Sequence, residues 1–179
     1  MIDKETPPEI FLTSDTWFGR PQILSIANRM QFTDLKEMHK VLIKNWNKAI
    51  SKDDIVFHLG NFAWDPKTAA DVLKKLNGKI FFLVGSADEA LLEVYKDFEN
   101  VNIIEGQIVE LPKYDSIICH YPLSVWNGKD SGTIHFHGHT VYSHQTNLEL
   151  SNRVNVCTDF WNYTPIKFST IKDFINGKR

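Results

Sequence analysis

The sequence predicts an α/β fold, on three observations. Short, nearly continuous apolar runs recur along the chain, as buried and largely parallel strands require. Segments with helical spacing lie between the early runs, and a small or polar residue follows each run at once. The runs are "EIFLTS" at 9–14, "DIVFHL" at 54–59, "KIFFLV" at 79–84, "SIICH" at 116–120 and "TIHFH" at 133–137. Between the first two, Thr33 and Asp34 open a segment in which Leu35, Met38, Leu42, Trp46 and Ala49 form one apolar helical face. A second helix starts at Asp65-Pro66 and is expected to run to Asn77-Gly78, where glycine accepts a left-handed cap. Further on, "NLEL" and "RVNVC" read as short strands and 170–176 as a terminal helix. The Gly/Asp/Ser stretch from Asn127 to Gly132 reads as a loop joining strands.

Composition narrows the classes. A chain of 179 residues, 42% apolar and 12% aromatic, buries a full core as one domain over 1–179. Twenty Lys and Arg against 22 Asp and Glu leave a net charge of −2 with no basic block, so charge does not point to nucleic acid. Cys119 and Cys157 are too few for a disulfide framework and fit a reduced, cytoplasmic setting. The polar start "MIDKETPPEI" lacks a signal-peptide core, and no run of 18 apolar residues offers a membrane span.

In open α/β sheets, ligands bind beyond the carboxyl ends of strands, where several loops converge. Five strand ends here offer Asp15 and Trp17, Gly60-Asn61, Gly85-Ser86-Ala87-Asp88, His120, and Gly138-His139. Each has an ordinary role as well. Asp15 is placed to cap the helix starting near Pro21 or a turn before it, and His120 alone is more often a hydrogen-bond partner of a backbone carbonyl. His58 is expected to pack inside the fold. A regular strand puts His135, His137 and His139 on one face, a pattern that favours a metal.

The ordered words resemble the calcineurin-like metallophosphoesterases, especially their small phage and bacterial members. They are "TSDTWFG" at 13–19, "NWN" at 45–47, "DIVFHLGNF" at 54–62, "LNGK" at 76–79, "HYPL" at 120–123, "HGHT" at 137–140 and "NVCTDFWNYTPI" at 155–166, spanning nearly the whole chain. The resemblance implies a four-layer α-β-β-α sandwich with a dinuclear site at the strand ends. In that family the loops carry D-x-H, G-D, G-N-H-D or G-N-H-E, a His, and G-H-x-H. The second-loop aspartate bridges two ions, a metal-bound hydroxide attacks phosphorus, and the third-loop histidine serves the leaving group.

Five of those positions differ in this chain. Trp17, Asn61, Ser86 and Val141 replace metal ligands, and Ala87 replaces the catalytic histidine, while Asp15, His120 and His139 remain. Two divalent ions roughly 4 Å apart repel by about 16 kcal/mol at an effective dielectric of about 20, and Asn61 lacks the charge that offsets this. The resemblance therefore implies a pseudoenzyme with no metal, or with one weakly bound Zn, Mn or Fe at Asp15, Asn61, His120 and His139. Its vestigial pocket would bind a phosphorylated small molecule or a protein partner, with Arg20 and Arg29 as phosphate contacts if they are not simply solvated. The alternatives are an active phosphoesterase with a rebuilt mononuclear site, its Zn, Mn or Fe held by His120, His139 and a nearby polar group such as Asp15, and a non-enzymatic metal-binding protein that needs only the same two imidazoles; the clustering of His135, His137, His139 and His144 along the sequence supports both.

Overall fold

The computed structural model describes residues 7–141 and 152–171. The five apolar runs all form strands: β1 Ile10–Thr13, β2 Ile55–His58, β3 Lys79–Leu83, β6 Ser116–Cys119 and β7 Ile134–His137. Four more complete two sheets: β4 Val101–Ile104, β5 Ile108–Leu111, β8 Arg153–Asn155 and β9 Ile166–Lys167. The first sheet has the order β4-β3-β2-β1-β9 and the second β5-β6-β7-β8. All pairs are parallel except β1 with β9 and β5 with β6. The sequence expectation of largely parallel strands therefore holds.

Alternation along the strands makes two cores. Leu12, Leu83, Ile118, Phe136 and Val154 pack between the sheets. Phe11, Val56, Ile80 and Phe82 point the other way, toward the helices. Helix α1, Leu35–Ala49, buries Met38, Leu42 and Trp46 there, as its spacing predicts. Burying Met38 and Leu42 contributes about 1.5–3 kcal/mol each. Asp34 caps α1 by accepting from the Glu37 amide, and the Glu37 carboxylate returns to the Thr33 amide. The word "NWN" ties α1 to its surroundings, with Asn45 donating to the Asn162 carbonyl, Trp46 to Asn77 and Asn47 to Lys75.

Helix α2, Pro66–Leu73, has Asp65 as its cap, but it ends four residues before the expected Asn77. Residues 74–76 tighten into turns, with the Lys75 amide on the Val72 carbonyl and the Leu76 amide on Leu73. Helix α3, Glu89–Val94, was not apparent from the sequence. The stretch from Asn127 to Gly132 joins β6 to β7 as expected, around a 3-10 turn at Lys129–Ser131. The expected strand "NLEL" lies outside the described residues, as does most of the terminal helix, whose first turn occupies 168–171. Among the described residues, the outer face of the second sheet is covered by the segment after β6. There Trp126 packs its ring 5.1 Å from that of His135, and the Leu123 amide donates to His135 Nε2.

Candidate functional site

The carboxyl ends of β1, β2, β3, β6 and β7 converge. The first two loops zip together through backbone bonds: the Asp15 amide to the Gly60 carbonyl at 2.9 Å, Trp17 to Asn61 at 3.0 Å and Phe18 to Phe62 at 2.9 Å. The third loop locks onto them. A Cβ added at Gly60 would lie 2.5 Å from Gly85 Cα and 2.7 Å from His120 Nδ1, so only glycine lets these backbones meet. Asp88, buried, binds the chain ends with its carboxylate, accepting from the amides of Asn61 at 2.8 Å, Phe62 at 2.8 Å and Gly85 at 2.7 Å.

Four side-chain-bearing residues here have positive φ: Asp15 at 56°, Trp17 at 52°, Asn61 at 60° and His139 at 67°. Such conformations are uncommon outside glycine, and their concentration at one place marks a functional site. They aim side chains that a regular strand would send elsewhere. His139 shows this best. His135 and His137 do share the outer face of β7, but the strand ends at His137 and the chain turns through Gly138, sending His139 to the site instead. The sequence expectation of three histidines on one face is thereby corrected to two.

Asp15 is fully buried and caps nothing; its Oδ2 accepts from Ser14 Oγ at 2.7 Å and the His139 amide at 2.8 Å. Asn61 holds the centre. Its Nδ2 donates to Asp15 Oδ1 at 2.9 Å and contacts His120 Nε2 at 3.3 Å, while its Oδ1 accepts from the Ala87 amide at 3.1 Å and Ser86 Oγ at 3.3 Å. His120 also does what a lone histidine was expected to do, setting Nδ1 2.6 Å from the Leu59 carbonyl. That bond makes Nδ1 the protonated nitrogen and leaves Nε2 to accept from Asn61 and from His139 Nδ1, 3.2 Å away. Burial pushes the Asp15 carboxyl up, against the lowering influence of His120 and of its donors. His139 is pushed below the ordinary histidine range by burial and by neighbouring His120.

Beside this cluster opens a cavity of about 670 Å³. Trp17, Asn61, Ser86, Ala87, His139 and Val141 line it, so the five substituted positions do gather with one of the retained ones, His139. Arg20 lines it too. Arg29 does not, and its expected role as a phosphate contact or solvated cation is corrected. It is fully buried and spends all its donors internally, on Asp159 at 2.6 and 2.8 Å, the carbonyls of Asp15 and Thr16, and Met38 Sδ. Sequence reasoning missed Trp64 in the cavity wall. The signal was a bulky aromatic two residues beyond Phe62, in a loop already singled out. His58 packs in the core as expected, and burial lowers its pKa to about 3.

The donor set does not match a preformed metal centre. Asn61 presents N–H bonds to Asp15 and His120, where a cation would need lone pairs, and among the described residues no three of His, Cys, Asp or Glu are grouped to hold an ion. Cys119 and Cys157 are both free and buried. No helix among the described residues is long and apolar enough to cross a membrane.

The fold and the strand ends together define an α/β protein of two facing, parallel-rich sheets with a polar cluster at their carboxyl edge. The chain belongs to the same family as the uncharacterized protein MJ1445 of Methanocaldococcus jannaschii, to which it is 32% identical over 174 residues, 93% of this chain and 91% of that one. It shares its fold with the protein of unknown function AQ665 from Aquifex aeolicus, with a TM-score of 0.70 at 18% identity, covering 93% of this chain and 99% of that one. No family model matches the sequence.

Proposed function

We propose that this chain is a calcineurin-like phosphoesterase homologue in which a hydrogen-bond network has taken the place of the dinuclear centre, leaving a pocket that binds a phosphorylated ligand without hydrolysing it. The carrying observation is the Asn61 amide. Its Nδ2 lies between Asp15 and His120, and its two hydrogens supply the positive charge density that ions would otherwise bring to those groups. The order of the motif words supports the family reading. Two sheets stacked through an apolar interior, with helices against the first, support the four-layer sandwich as its architecture.

Loss of hydrolysis follows from the residues in place. Ala87 has no proton to give, and Trp17 and Val141 offer no lone pair at the pocket wall. The second reading, a phosphoesterase using one Zn, Mn or Fe ion, is favoured by the 3.2 Å approach of the His120 and His139 ring nitrogens, close to the separation of two imidazoles on one tetrahedral ion. Elemental analysis of protein purified without chelator separates the two. Less than one equivalent of transition metal, with hydrolysis of an aryl phosphodiester at buffer background in the presence of Mn, is expected. One or two tightly held ions per chain, or chelator-sensitive turnover, would overturn the proposal.

A further inference from the structure

The pocket beside the Asn61 network is built for an anion. Among the described residues no Asp or Glu lines it, while Arg20 and His139 do, together with the polar side chains of Gln22, Ser25 and Ser86. Arg20 is held in an unusual way. Its guanidinium carbon sits 4.1 Å from the centre of the Trp17 ring and 5.0 Å from that of Trp64, a wedge of two indoles whose ring centres are 6.4 Å apart. Stacking of this kind fixes the guanidinium through its faces and leaves the N–H edge unused.

Among the described residues that edge meets no acceptor. Arg20 Nε is buried without a hydrogen-bond partner among the described residues, and so is the Trp17 indole nitrogen in the same wall. A buried N–H left unpaired loses its bond to water without a replacement, and a bound acceptor supplies one. Arg29, by contrast, has every donor taken internally.

The rest of the wall is apolar. Ile23, Ile26, Val141 and the two indoles line it, and Trp64 is 50% exposed, so a flat group has a ring to lie against. A cavity of about 670 Å³ exceeds what a free inorganic anion needs. Arg20 and the Trp17 indole bring N–H groups that take no acceptor among the described residues, with the Gln22 amide beside them, and these several donors suit the oxygens of a phosphate better than the two of a carboxylate.

We infer that the pocket takes an organic phosphate with a flat apolar body, of the size of an aryl phosphate or a nucleoside monophosphate, its phosphate received by Arg20 between Trp17 and Trp64. The inference rests on the metal-free reading given above and adds the ligand class and the residue that selects it.

Calorimetric titration of the full chain, pretreated with EDTA, tests this with phenyl phosphate, adenosine 5′-monophosphate, benzoate, adenosine and inorganic phosphate as probes. At least one of the two esters should bind about tenfold or more tightly than its separate halves, and Arg20→Ala should weaken that ester by about tenfold or more. Arg20→Lys should recover only part, since an ammonium lacks the planar fork. Trp64→Ala, at a half-exposed ring outside the core, should weaken the ester and spare inorganic phosphate; it decides the matter if the Arg20 variants fail to fold. Metal-independent ester binding that survives loss of Arg20, benzoate binding equal to that of phenyl phosphate, or no ester binding at all would overturn the inference. Ester binding that appears only with added Mn would instead overturn the metal-free reading beneath it.

Discussion

Two pairs of histidines, His120 with His139 and His135 with His137, meet opposite fates. His120 and His139 face each other at the strand ends with ring nitrogens 3.2 Å apart, inside a network in which Asp15, Asn61 and the Leu59 carbonyl give each buried nitrogen a partner. His135 and His137 lie on the outer face of β7 with ring centres 5.4 Å apart. There, His135 Nδ1 and His137 Nε2 have no partner among the described residues. One turn at Gly138 makes the difference, because it moves His139 from the sheet face to the loop cluster. A histidine's chemistry here is set by the backbone that carries it, since the residue type is the same in all four places.

The largest effect that separates the two regions is acid sensitivity. Burial lowers the pKa of His58 and His135 to about 3 and of His137 to about 4, so these rings are neutral in the folded chain where an unfolded chain would protonate them. Unfolding therefore takes up protons below the ordinary histidine pKa, and stability should fall as pH drops from about 6.5 toward 4. At pH 5 each ring should cost on the order of 2 kcal/mol. Asp15 works the other way: its raised carboxyl pKa makes acidification relieve a buried charge at the strand ends. Urea midpoints between pH 7.5 and 4.5 check the balance, and a flat profile would show that the outer histidines are charged or solvated after all.

A smaller effect should come from Asn61→Asp. It removes the Nδ2 donor and places a second buried carboxylate within 2.9 Å of Asp15, at a cost of about 3 kcal/mol in metal-free buffer. Added Mn should return part of that loss, because a cation can then stand between the two carboxylates. An unchanged melting temperature would mean that the amide is not the keystone of the network. The smallest effect is expected from His139→Ala. Its ring is exposed and, among the described residues, its side chain meets the rings of His120 and Tyr121, so thermal melting should show a loss of less than about 1 kcal/mol. A large loss would mean that the site holds a structural ion.

Much of the fold was legible in the sequence because its signals are local. Five apolar runs, the α1 face and the caps Asp34 and Asp65 all depend on neighbours within a few positions. The elements that were not seen are short or weakly patterned. Strand β5 is a half-exposed edge, α3 is under two turns long, and α2 ends early because its last residues turn toward β3. The convergence of Asp15, Asn61, His120 and His139 was legible because strand ends gather in any sheet of this class. The fate of Arg29 was not, since its partner Asp159 lies 130 positions away and no local pattern joins them. Nor was the Arg20 wedge, which depends on how Trp17 and Trp64 from different loops tilt toward one another.

The touching backbones of Gly60 and Gly85, with the Asp88 carboxylate gripping the amides around them, separate the site's chassis from its lettering. Positions 17, 61, 86, 87 and 141 hang from loops whose paths are fixed by other residues. Side chains there can be exchanged one at a time while the frame keeps its shape. A scaffold of that kind lets chemistry drift without first losing the fold, so a reactive centre and a quiet receptor can stand a handful of substitutions apart.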